Sequence, residues 1–202
     1  MEVKDEKEKI EFQTEFRRDS TTDNIGVVRK ESRWCTIFND TNPSLAEIER
    51  LYEERYRRVG RGICPSSFRR GLQVARGISD SNGKVYIVGG IAGCVYKMFA
   101  GVDYQKETED FDIAVLNMRW GQLAKILLKN GISEWWSPEE RKWKKISVNN
   151  PPPHYGLKVG TQKFAVITRD KEGAHFDILP LDSIEEKFLR QNSLVIENTL
   201  IW

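Results

Sequence analysis

Cysteine and histidine are scarce in this chain. It has three cysteines, Cys35, Cys64 and Cys94, and two histidines, His154 and His175. Scattered cysteines in odd number argue against a disulfide framework and for a reducing compartment. None of these residues falls at zinc-ligand spacing, so no zinc site is expected. Long apolar runs are missing too. The longest fall far short of the roughly 20 residues that cross a bilayer, and no membrane association is expected. Met1-Glu2-Val3-Lys4-Asp5 opens a charged segment with no apolar h-region, so no secretory leader is expected. An excess of either charge is also lacking. Lys and Arg total 32 against 30 Asp and Glu, a net +2, which gives no global field toward nucleic acid. A nucleic-acid partner would need a local patch. These absences point to the cytoplasm, with the nucleus also open.

What is present suits a soluble α/β protein. The 202 residues suffice for one domain plus an extension, and for a core that needs no staples. Residues 1–34 mix charges of both signs with few apolar positions and read as a flexible charged extension. Trp34, Ile37 and Phe38 start an apolar patch expected to dock on the body. Residues 35–80 read as a helical segment packed on that body. Ser44 and Glu47 make an S-x-x-E capping box, and Leu45, Ile48, Tyr52, Tyr56 and Val59 recur at helical spacing, so a helix is expected over 44–59. A second is expected over 67–78, with Phe68, Leu72 and Ala75 buried. Arg55, Arg57, Arg58, Arg69, Arg70 and Arg76 then form either a solvated face or a phosphate-binding strip.

Residues 81–202 carry the catalytic pattern. Val85-Tyr86-Ile87-Val88 reads as a buried strand, Gly89-Gly90 as its end, and Ile91 to Phe99 as a helix. Asp110 to Leu116 is a second strand and Gln122 to Lys129 a helix stopped by Asn130-Gly131. Ser137-Pro138-Glu139-Glu140 looks like a helix start, with Pro at the first position. Phe164 to Thr168 and His175 to Leu179 read as a hairpin joined by Asp170-Lys171-Glu172-Gly173. Ser183 to Leu189 reads as a last helix. The expected fold is α/β, or α+β: a short mixed sheet with flanking helices and a helical N-terminal extension.

Three pieces carry chemistry. Glycines at a strand-to-helix turn let a phosphate approach the free N–H groups of the helix start. Side chains alternate along a strand, so Asp110 and Asp112 share one face while Phe111, Ile113 and Val115 share the other. Paired carboxylates repel, and a divalent cation relieves that; Mg²⁺ is held by one or two carboxylates plus substrate phosphates. Asp177 sits between Phe176 and Ile178, where a buried acid is costly unless paired or metal-bound. If the two strands are neighbours, three carboxylates meet and can hold two metal ions.

Val88-Gly89-Gly90, then Lys106-Glu107-Thr108-Glu109-Asp110-Phe111-Asp112, then Phe176-Asp177-Ile178 resembles the nucleotidyltransferase superfamily of the DNA polymerase beta type. Lys106 to Asp112 is similar to the run seen in the small AbiEii-like nucleotidyltransferases. The resemblance covers Val85 to Leu179, about half of the chain. It implies Mg²⁺ or Mn²⁺ as cofactor, held by Asp110, Asp112 and Asp177 as catalytic residues, and ATP or another NTP as substrate. Asp177 would help activate the attacking hydroxyl. Gly89 and Gly90 would cradle the phosphates, with Lys106 and Thr108 as further nucleotide-binding candidates. The Arg-Asp pair of CCA-adding enzymes is replaced by Gly93-Cys94, which argues against that activity. The acceptor is left open between RNA, protein and a small molecule. The rival reading is a catalytically inactive binding module on the same fold. Trp135, Trp136 and Trp143, among Arg141, Lys142, Lys144 and Lys145, can be core and solvated face or can stack a base. His175 either lines the site beside Asp177 or sits on the surface.

Overall fold

The computed structural model describes residues 44–99, 108–116, 118–156, 158–159, 162–181, 187, 189, 190, 194–196 and 199–201. The charged extension, the patch at Trp34 to Phe38, Lys106 and nearly all of the expected helix over 183–189 lie outside them.

Two helices come first. α1 (Leu45–Val59) is capped by the Ser44 side chain, which accepts from the Glu47 N–H at 3.1 Å. α2 (Pro65–Asp80) starts two residues earlier than the apolar stripe predicts, because Pro65 supplies the first helical φ without needing a donor. Then follow β1 (Lys84–Val88), α3 (Gly89–Phe99), β2 (Asp110–Leu116), α4 (Trp120–Lys129), β3 (Ile132–Ser137) and β4 (Lys142–Lys145). β5 (Lys158–Val159) and β6 (Gln162–Lys163) make a separate small ladder. β7 (Val166–Asp170), β8 (His175–Leu181), β9 (Leu194–Ile196) and β10 (Thr199–Ile201) complete the chain.

The main sheet is larger than the short sheet expected. It has eight strands in the order β4-β3-β7-β8-β2-β1-β10-β9. β2 runs parallel to β8, and β1 parallel to β10; the other neighbours are antiparallel. The helix expected from Ser137 is not formed. Ser137 ends β3, Pro138 to Arg141 form a turn, and β4 returns antiparallel with Trp136 opposite Trp143. The Ser137 hydroxyl does cap locally, accepting from the Glu140 N–H. Alternating Trp and Lys around that turn suit a pleated surface better than a helix.

α1 to α4 cover one sheet face, while the helical residue Leu189 packs with Tyr86, Val88 and Ala114 on the other. Leu45, Ile48 and Tyr52 of α1, Phe68 and Leu72 of α2, Ile91 and Val95 of α3, and Leu123 and Leu127 of α4 share a core with Ile87, Phe111, Ile113, Phe176 and Ile178. Tyr52 stacks on Phe68 at 3.7 Å, Phe68 leans on Phe111 at 5.7 Å, and Phe111 meets Phe176 at 6.2 Å. This aromatic column runs from α1 into β2 and β8. It fixes the inner face of the two strands whose outer face carries the acids.

A polar clamp ties α2 to the β7–β8 hairpin. The Asp170 carboxylate is fully buried and accepts from the Ser67 hydroxyl at 2.6 Å, Arg70 at 2.5 Å and the N–H groups of Glu172 and Ala174. Arg70 also pairs with Glu172 at 2.7 Å, which holds that carboxyl down at about 2. Three of the six arginines are thereby taken up, while Arg57, Arg58 and Arg76 are exposed. Arg70 is committed to the clamp, Arg69 to Glu49 and Glu53, and Arg55 is buried.

Candidate metal centre

β2 lies between β1 and β8, and its register decides the site. Asp112 is opposite Asp177 in the parallel pair with β8, and opposite Val88 in the antiparallel pair with β1. Register partners share a face. Asp110, Asp112 and Asp177 therefore all stand on the face opposite α1 to α4, beyond the small buried cluster of Tyr86, Val88, Ala114 and Leu189. One carboxylate oxygen from each lies within 4.8 Å of the others. Among the described residues this is the one group of three or more His, Cys, Asp or Glu side chains placed to hold a metal ion.

The electrostatics follow from that crowding. Burial first, then Asp110, then Asp177, pushes the Asp112 carboxyl up to about 6. Asp177 is also raised, by burial and by Asp110, while His175 pulls it back. A cation among these oxygens would reverse each effect.

The glycine pair stands at the β1 end of the same site. Gly89 opens α3 with φ +67°, and a Cβ there would lie 1.9 Å from an Asp112 carboxylate oxygen. Only glycine satisfies both the backbone and the space. A Cβ on Gly90 would lie 2.7 Å from the Thr108 methyl. The two glycines therefore open the helix, as its first residues rather than as the strand's end, and keep room around Asp112.

Thr108 is 2% exposed. Its carbonyl accepts the Ile63 N–H at 2.9 Å, and the Ile63 carbonyl accepts the Tyr52 hydroxyl at 2.8 Å. Thr108 thus anchors the mouth of β2 to the turn between α1 and α2. Cys94 is buried in the core on α3. His175, the register partner of Asp110, is exposed beside the acids.

One residue of this neighbourhood escapes the sequence reading. Arg169 pairs with His175 across β7 and β8, so it shares the face of the acids. Alternation from Asp177 through Ile167 would have found it, given the hairpin register.

The oxygen-only, anionic and mutually repelling donor set suits a hard divalent cation such as Mg²⁺. No helix among the described residues is long and apolar enough to cross a membrane. No protein-family model, curated protein or solved structure matches the chain.

Proposed function

We propose that the protein is a metal-dependent nucleotidyltransferase with a fold of the DNA polymerase beta type. It moves a nucleoside monophosphate from an NTP to an acceptor hydroxyl and releases pyrophosphate. The observation that carries this reading is the convergence of the Asp110, Asp112 and Asp177 oxygens within 4.8 Å beside a glycine-opened helix N-terminus.

In this reading Asp110, Asp112 and Asp177 hold Mg²⁺, which supplies charge neutralisation for the triphosphate and the developing pyrophosphate. The N–H groups at Gly89 and Gly90 bind phosphate oxygens at the start of α3. Asp177 orients the acceptor hydroxyl and draws on its proton. A bond forms between the acceptor oxygen and the α-phosphorus, and the bond from that phosphorus to the pyrophosphate oxygen breaks. The rigid sheet supplies positioning, which is most of what phosphoryl transfer asks of a protein.

The test is incubation with labelled NTPs and pools of RNA, protein and small hydroxylated compounds, with Mg²⁺ and with EDTA. Label should enter one pool in Mg²⁺ only, and Asp112→Asn should abolish it. Calorimetry showing equal NTP affinity in EDTA and in Mg²⁺ would refute the reading. Metal-dependent NTP binding with no transfer to any pool would leave the binding-module alternative.

A further inference from the structure

On the β8 side the sheet face opposite α1 to α4 continues past the acids into an aromatic surface. Next to Asp110 and Asp177 stands His175 on β8, then Arg169 on β7, then Glu134 and Trp136 on β3, then Trp143 on β4. β4 is three strands away from β8. Even so, the Trp143 ring reaches to 5.4 Å from the His175 ring. It does so by lying over the Arg169 guanidinium, 4.2 Å from its centre. Glu134 fixes that guanidinium at 2.8 Å and is itself paired with Lys145 at 3.1 Å. Trp136 supports Trp143 edge-on at 5.5 Å.

Packing of the core does not explain these rings. Trp135, between them in sequence, is buried against the helices and belongs to the main apolar cluster; Trp136 and Trp143 belong to neither cluster. They are half-buried on the solvent side, and His175 is exposed. Lys145 shares their face and pairs with Glu134, while Lys142 and Lys144 alternate to the other face and pair with Glu140. A ring seated on a guanidinium, with a second ring edge-on and a histidine beside the acids, matches the bases of a nucleotide chain.

Position selects which bases. Gly89 and Gly90 flank the acids from the β1 side, where the triphosphate would enter. The rings flank them from the β8 side, opposite. In an in-line displacement the acceptor arrives from the side opposite the leaving pyrophosphate. We infer that Trp143, with His175 and Trp136, is a stacking platform for the terminal bases of a single-stranded polynucleotide, which is the acceptor. This rests on the nucleotidyltransferase reading and names its acceptor class.

The test uses the full chain and a fluorescent single-stranded RNA of about 12 mixed-sequence nucleotides. Binding is measured in EDTA, so it needs neither metal nor chemistry, and Asp112→Asn should leave it intact. Trp143→Ala should weaken strand binding by about 5- to 150-fold, the range for losing one stacking ring. Trp143→Phe, which keeps a ring, should stay within roughly threefold. His175→Ala, at an exposed position, should weaken it by a smaller factor. Affinity for Mg²⁺-NTP should not change in Trp143→Ala or Trp143→Phe. Unchanged strand binding by Trp143→Ala would overturn the inference. So would an equal loss of NTP affinity, because the base would then be the nucleotide's. So would label that enters protein and never the strand. Loss of metal-dependent NTP binding alone would sink the enzyme reading while strand binding to the platform persisted.

Discussion

Asp112→Asn should stabilise the protein when no metal is present. The wild-type carboxyl is raised from an ordinary 3.8 to about 6 by burial and by its two acidic neighbours. At about 1.4 kcal/mol per pH unit that is about 3 kcal/mol held against the folded state above neutrality. Asp112 is only partly buried, so solvent screening cuts this to about 1–2 kcal/mol. The sign follows from linkage. A carboxyl protonated more readily in the folded chain than in the unfolded one supports folding only while it holds its proton. Stability should therefore fall as pH rises from about 4 through about 6, then level off. Asn has nearly the same shape and no charge, so it removes the penalty. Thermal unfolding in EDTA at about pH 8 should show the variant melting roughly 2–8 °C higher. At about pH 5 the gap should narrow, because wild-type Asp112 then carries its proton. Mg²⁺ should raise the wild-type midpoint by mass action and leave the variant where it was. A variant less stable than wild type at about pH 8 in EDTA would refute the reasoning, as would a gap independent of pH.

Other substitutions probe the supports of the site. Gly89→Ala places a Cβ at φ +67° and against the Asp112 carboxylate; about 2–4 kcal/mol of stability should be lost by denaturant titration, with Mg²⁺ stabilisation lost as well. Arg70→Ala strips the cation from the fully buried Asp170 carboxylate; about 3 kcal/mol should be lost, and hydrogen exchange should rise first in the β7–β8 hairpin. Ser44→Ala removes the cap of α1; about 1 kcal/mol should be lost, with no change in Mg²⁺ binding. Replacing Arg57, Arg58 and Arg76 with Ala should leave strand affinity within roughly twofold, since the platform lies on the other face of the sheet from α1 and α2.

Local patterns settled much of this protein from the sequence alone. The Ser44 cap, the apolar stripes of α1 and α2, and the full span of β2 were legible because each is fixed by neighbours within a turn or a strand. So was the shared face of Asp110 and Asp112, because alternation is a property of one strand. The turn at Asp170 to Gly173 was legible for the same reason. What lies between strands was not. That Asp177 stands opposite Asp112 is a matter of register, and a slip of one residue would have turned it into the core. The fate of the arginines was hidden as well, since Asp170 and Glu172 reach Arg70 from 100 residues away. Ser137-Pro138-Glu139-Glu140 carries a helix-start pattern, yet β3 and β4 gain more by extending the sheet over β7, so pairing overrode the local signal. β9 and β10 escaped notice because three-residue strands have no period to read. Tertiary structure alone decided that α1 to α4 take one face, and so that acids, glycines and tryptophans far apart in sequence share the other.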